Sequence, residues 1–275
     1  MKNIFSVFYA KRLSALCLTL VLVACNTAPE REIESDAVSE TKLMELAQKA
    51  ESRNDIDAAI AFYRQANLGF PNAIGPVEAL SRNYSLTGAH RNAAISYRRL
   101  AELVSPDRVS QTRIQEGRAW LKARNPTNAA LAFQAAIDSD INAVPAMLGL
   151  GVAQELTGNN DRARISYQRA LKIEPDNPAT QNNLALSYII GGQANEAVTR
   201  LEKLVETHPD KASYRQNLGM ALIMDGKEAR ARTELSQISQ GELLENNLVA
   251  FKRLPEMSPA QRAQFIFNSQ LLGSK

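Results

Sequence analysis

VPAMLGLGVAQELTGNNDRARISYQRALKIEPDN, residues 144–177, decides how the chain is to be read. In it the small Ala163 is followed four places on by the aromatic Tyr167. The same couple recurs as Ala59 and Tyr63, Ala93 and Tyr97, Ala129 and Phe133, Ala197 and Leu201, and Ala231 and Leu235. Successive alanines stand 34, 36, 34, 34 and 34 residues apart. A fixed period of this length means a stack of repeated supersecondary units, each burying its apolar face against the next. Within the stretch, apolar residues at helical spacing lie on both sides of Gly158, where a first helix ends in a left-handed residue.

Placed in one 34-residue frame, the repeats begin near Glu40, Ile74, Ser110, Val144, Pro178 and Ala212. Position 15 is Gly88, Gly158, Gly192 or Gly226 in four of them and Asn54, which tolerates the same conformation, in the first. Repeat three has Arg124-Asn125-Pro126 there, which predicts a different turn. Pro71, Pro175 and Pro209 stand at position 32, since proline cannot continue the second helix. Leu150, Gly151, Gly158, Ala163, Tyr167, Ala170 and Pro175 resemble the tetratricopeptide pattern, and repeats five and six carry it too. Repeat three departs most, with Glu116 at position 7, although Gly117, Trp120, Ala129, Phe133 and Ala136 fit. The resemblance implies an all-α, right-handed superhelical solenoid of about six repeats over 40–241. Small residues at positions 8 and 20 let the helices approach, and the large one at 24 fills the gap. Trp120 reads as a core residue.

After repeat six the period loosens, so 242–275 reads as an incomplete repeat and a capping helix. Leu244, Leu248 and Phe251 share one helical face. Ser258-Pro259-Ala260-Gln261 then reads as a capping box with proline at the first helical position. The helix it opens buries Ala263, Ile266, Phe267 and Leu271, and Gly273 stops it. A helix of this kind is expected to cover the open end of a solenoid.

At the other end, Lys2, Lys11 and Arg12 precede an apolar run, 13–24, that is too short to span a bilayer. It closes in Leu22-Val23-Ala24-Cys25, which resembles the lipobox of bacterial lipoproteins. The resemblance implies a signal peptide over 1–24 and lipidation of Cys25, whose sulfur is the nucleophile that the modification needs. Residues 25–39, with Glu30, Glu32, Glu34 and Asp36, read as a flexible acidic tether. With Asn26 where inner-membrane lipoproteins carry Asp, the same resemblance implies the outer membrane. Removal of 1–24 takes Lys+Arg from 32 to 29, equal to the 29 Asp+Glu, so the remaining chain is formally neutral. A basic footprint for nucleic acid is absent. Cys17 leaves with the signal, so no thiol chemistry is left.

No constellation for catalysis stands out, and the chain reads as a non-enzyme without cofactor, metal or small-molecule substrate. His90 and His208 are the only histidines and both fall at helix ends. Gly149-Leu150-Gly151 follows no strand, so it reads as packing glycines rather than a nucleotide loop. What remains is the concave face, which repeat proteins use to hold peptides or helices. Positions 2, 5, 6, 9, 12 and 13 of each first helix line it. Repeats two and three place Glu78, Arg82, Gln115, Arg118 and Lys122 there. Repeats five and six place Asn182, Asn183, Leu186, Ile189, Ile190, Gln216, Asn217, Met220, Ile223 and Met224. Amides bond a peptide backbone and Leu, Ile and Met take its apolar side chains, so this second strip is the predicted partner site. The alternative is that these residues pack against a helix inside the superhelix.

A lipobox, an acidic tether and a run of tetratricopeptide repeats together resemble the TadD-type lipoproteins of the tight-adherence (Flp) pilus system. The likeness is strongest at Gly149-Leu150-Gly151-Val152-Ala153, Asn182-Asn183-Leu184-Ala185-Leu186-Ser187 and 214–222, and extends to Asn246-Asn247-Leu248. It implies a periplasm-facing outer-membrane accessory protein, held by its lipid, that helps a pilus secretin assemble or localise. Two other readings stay open: an adaptor that docks peptidoglycan hydrolases, and a type IV pilus pilotin.

Overall fold

The computed structural model describes residues 39–273, with side chains as far as Phe267. The lipobox, Cys25, the tether before Ser39 and the side chain of Leu271 lie outside them. Among the described residues there are fourteen α-helices and no strand. They pair as α1 (Glu40–Ser52) with α2 (Ile56–Gly69), α3 (Ile74–Leu86) with α4 (His90–Leu103), and α5 (Pro106–Lys122) with α6 (Pro126–Ser139). Then come α7 (Val144–Leu156) with α8 (Asn160–Ile173), α9 (Pro178–Ile190) with α10 (Ala194–Thr207), and α11 (Ala212–Met224) with α12 (Glu228–Ser236). Each second helix also packs against the first helix of the next pair, which makes the chain an all-α tetratricopeptide-type solenoid.

Local chemistry explains the punctuation. Asp55, Asn125 and Asn177 cap α2, α6 and α9 by accepting from the backbone N–H three residues on, at 3.1, 3.1 and 2.9 Å. Pro71, Pro175 and Pro209 follow the last residues of α2, α8 and α10 directly after the cap. The turn of repeat three is not different after all. Arg124 takes the left-handed conformation (φ 55°) that Gly158 takes (φ 79°). Arg124 and Asn125 donate to the carbonyls of Leu121 and Trp120 in the pattern that Gly158 and Asn159 use toward Glu155 and Gln154. Two hydrogen bonds closing the helix end hold an arginine where a glycine is easier. Repeat three departs elsewhere: α5 starts at Pro106, ahead of the frame position Ser110, because Ser105-Pro106 supplies an earlier helix start.

The core is the recurring couple. All six alanines are buried, as are Tyr63, Phe133, Tyr167, Leu201 and Leu235. A Cβ added to Gly151 would lie 2.3 Å from the Tyr167 ring, so the small residue at position 8 is what admits the large one at 24. Gly149 admits Phe133 of the preceding repeat in the same way. Tyr97 is the exception, only half-buried beside the lengthened α5. In that region Glu116 is 1% exposed and bridges Arg98 and Arg113 at 2.7 Å each, while accepting from the indole N–H of Trp120 at 3.2 Å. Arg98 also stacks over the Trp120 ring, 5.7 Å from its centroid. The residue that fits the repeat pattern worst is the buried hub of an ion cluster whose arginines reach water, and Trp120 is a core residue.

Beyond α12, α13 (Gly241–Phe251) packs on α11 and α12 with Leu248 and Phe251 buried. A short 3-10 turn, Leu254–Glu256, leads to α14 (Pro259–Gly273). Ser258 and Gln261 form the capping box reciprocally, at 2.8 and 3.3 Å. Ala263, Ile266 and Phe267 are buried. The helix does not simply cover the solenoid's end, however: it packs against α7 and α9, first helices of interior repeats.

Candidate partner-binding face

The first helices present two unlike stretches. In the C-terminal one, the strip predicted as an open groove is closed. Asn182, Leu186, Ile189, Ile190, Asn217, Met220 and Ile223 are buried, Asn183 and Met224 are half-buried, and Gln216 alone is exposed. The cause is the chain's own C-terminus. Leu186, Ile189, Ile190, Met220 and Ile223 share one apolar cluster with Leu248, Phe251, Leu254, Ala263, Ile266 and Phe267. Val152 and Leu156, at positions 9 and 13 of repeat four, pack against the same cluster. An apolar strip of this width is unfavourable in water, and α14 is the amphipathic element available to cover it.

Polar groups inside this closed stretch are few and specific. Asn217 donates to Asn182 Oδ1 at 2.7 Å across the seam between α11 and α9. Arg262 of α14 donates through Nη1 to the Ile190 carbonyl at 2.9 Å and through Nε to the Leu254 carbonyl at 2.9 Å. Its charge thereby meets the carbonyl end of α9, the favourable end of the helix dipole for a cation. In repeat four, Glu155 is fully buried. Burial pushes its carboxyl up to about 7, against the opposing pull of Asn160 and Arg164. Asn160 donates to Glu155 Oε2, while Glu155 Oε1, Ser187 Oγ and Tyr167 Oη have no hydrogen-bond partner among the described residues.

The stretch formed by repeats two and three, up to the start of α7, is open. A pocket of about 400 Å³ lies by Glu78, Arg82, Tyr97 and Gln115, and one of about 330 Å³ by His90, Tyr97, Arg118 and Lys122. A third, about 430 Å³, continues from Arg118 to Leu148 and Asn177. Arg82 pairs with Glu51 at 3.1 Å and Arg108 with Glu78 at 2.6 Å. Among the described residues no carboxylate pairs with Arg118 or Lys122, and both are exposed. Burial and the Lys122 charge both hold the His90 imidazole below its usual range, so His90 adds no charge at neutral pH. The open face is thus a polar track of mixed charge, in which Asp107 and Glu174 line the same pockets as Arg82, Arg108, Arg118 and Lys122. Sequence reasoning noted these residues but assigned the binding role to the other strip, because burial by a distant helix leaves no mark in the repeats themselves.

Among the described residues no group of three or more His, Cys, Asp or Glu is placed to hold a metal ion, and no helix is long and apolar enough to cross a membrane. His90 and His208 flank helix ends, and Gly149 and Gly151 are packing glycines.

Tetratricopeptide-repeat family models match residues 114–178 and 183–211. No curated protein matches the chain. Among solved structures, a tetratricopeptide repeat protein from Parabacteroides merdae is similar at TM-score 0.65 and 14% identity, covering 86% of this chain and 93% of that one. PilW, described as a widely conserved type IV pilus biogenesis factor, is similar at TM-score 0.57 and 18% identity, covering 76% and 98%. YrrB, described as having an unusual peptide-binding site, is similar at 0.51 and 18%, covering 62% and 88%. Two segments of the chain thus match tetratricopeptide-repeat models, and its all-α solenoid has the fold of solved tetratricopeptide-repeat proteins.

Proposed function

We propose that this protein is a non-catalytic lipoprotein of the outer membrane, facing the periplasm, whose concave face holds a segment of a partner protein and so assists assembly or localisation of a Flp/Tad pilus secretin. The observation that carries the binding reading is the open polar track of repeats two and three, with Arg118 and Lys122 exposed and without carboxylate partners among the described residues. A segment bearing carboxylates suits it, since charge complementarity fixes register and speeds encounter. The membrane anchor rests on Leu22-Val23-Ala24-Cys25. The pilus assignment rests on the resemblance to TadD-type lipoproteins, and PilW shows that this fold serves a type IV pilus biogenesis factor.

The test is to cross-link the full chain in its own membranes, purify it and identify what is attached by mass spectrometry. A pilus secretin as main partner, with recovery reduced about tenfold by Arg118→Glu together with Lys122→Glu, is the expected result. Peptidoglycan hydrolases in its place would keep the scaffold and replace the partner. Cys25→Ser should move the protein from the outer-membrane fraction to the soluble periplasm.

A further inference from the structure

The seated position of α14 is informative beyond its burial. Val152, Leu186 and Met220 are the ninth residues of repeats four, five and six, one frame step apart, and all belong to or pack on the cluster that α14 completes. This is the row with which a repeat solenoid contacts what lies along its concave face. On α14 the facing residues are Arg262, Ala263, Ile266 and Phe267, one face of a helix with a small residue at the point of approach. We propose that the C-terminal half of the concave face is a groove for an amphipathic helix, that α14 is its intramolecular occupant, and that a partner's helix of the same chemistry takes its place. The proposal deepens the scaffold reading and rests on it.

Three observations make α14 an exchangeable occupant rather than part of the solenoid. First, the solenoid's end is already covered: α13 packs on α11 and α12 and buries Leu248 and Phe251. Second, the floor of the groove is self-supporting. α9 and α11 each pack on α10, and Asn217 bonds Asn182 across the seam between α11 and α9. Third, α14 is a self-contained helix. It is entered from Met257 in extended conformation and begins with its own Ser258–Gln261 capping box. Arg262 ties it to a repeat helix through the Ile190 carbonyl, a bond that an arginine on another helix can reproduce. A partner helix with arginine, a small residue next to it, and large apolar residues four and five places after that arginine fits the groove as α14 does.

The occupant in place lowers the apparent affinity of any rival by the fraction of time the groove stands empty. The test uses the full chain and a labelled peptide of its own residues 256–275 as probe. Ile266→Asp together with Phe267→Asp weakens the seated helix. With helicity otherwise retained, this variant should bind the probe at least about tenfold more tightly than the wild type. Leu186→Asp added to the variant should abolish that binding. No gain in probe binding overturns the proposal, and so does a concentration-dependent dimer that exchanges α14 between copies, which would assign the groove to a second copy of the chain. Should the variant lose its helicity, the wild type decides by hydrogen exchange. α14 amides exchanging at least about tenfold faster than those of α9 and α11 support an exchangeable helix; equal protection overturns it. Because the probe is this chain's own sequence, failure to recover a secretin bears on the partner's identity, and failure to bind the probe bears on the groove.

Discussion

Repeats two and three and repeats four to six are built on one frame and differ in how they are finished. In the first region Tyr97, at position 24 of repeat two, is half-buried, an ion cluster around Glu116 sits within the apolar packing, and the concave face stays open. In the second, Tyr167, Leu201 and Leu235 are fully buried and the concave face is filled by α14. The same period thus produces an open polar track and a closed apolar one. What separates them is composition at first-helix positions 9 and 13. Charged Arg82, Arg118 and Lys122 stay solvated, whereas Leu186, Ile190 and Met220 require cover.

The largest effect that tests this contrast is truncation of the same frame position in each region. Tyr167→Ala removes a fully buried ring from against Gly151 and should cost about 4 kcal/mol. Tyr97→Ala, at a half-buried site, should cost about 1–2 kcal/mol. Urea unfolding of both variants measures the difference, and equal losses would erase the distinction between the two regions.

Next in size is the pH response of the closed region. The Glu155 carboxyl titrates near 7 in the folded chain and near 4.5 without burial, so the folded state holds the proton more tightly. Its stabilising share is complete below pH 4.5 and is lost as pH rises through 7, a change of roughly 3 kcal/mol. Glu155→Gln should flatten that slope and raise the urea midpoint at pH 8 while leaving it nearly unchanged at pH 4. A midpoint that rises with pH in the wild type would reverse the sign of this argument.

Glu116→Ala addresses the open region. It strips Trp120 of its acceptor and leaves Arg98, which is 44% exposed, and Arg113 without a carboxylate. Since water reaches both arginines, the expected cost is about 2 kcal/mol rather than the larger penalty of a fully buried pair. Added salt should narrow the gap between variant and wild type. A salt-independent gap would mean that Glu116 acts by packing alone.

The repeats were legible because their signals are local and redundant. A helix pair announces itself through the Ala59–Tyr63 type of couple, through Gly158-like turns and through Pro175-like stops, all within 34 residues. The capping box at Ser258 and the buried Ala263, Ile266 and Phe267 were readable for the same reason. The destination of α14 was not. Whether Leu186 and Met220 face solvent or another helix depends on a segment 40 to 80 residues further along, and periodicity carries no information about such a contact. The hub role of Glu116 was hidden similarly, because it depends on Arg98 from the preceding helix.

The smallest effect concerns the turn that both regions share. Arg124 and Gly158 occupy one frame position, with φ of 55° and 79° and matching hydrogen bonds. A left-handed residue with a Cβ costs roughly 1–2 kcal/mol, and glycine avoids this at an entropic penalty of about 0.5–1 kcal/mol in the unfolded chain. Arg124→Gly should therefore stabilise by up to about 1 kcal/mol, and Gly158→Arg should destabilise by about the same. Asparagine tolerates the conformation without glycine's entropy, as Asn54 does at φ 59°, so Arg124→Asn should gain at least as much. Opposite shifts of similar size would show that the turns are interchangeable and that the two regions differ only on their faces. A loss of stability in Arg124→Gly would instead mean that the arginine side chain helps hold the open region, and the contrast would then extend into the frame itself.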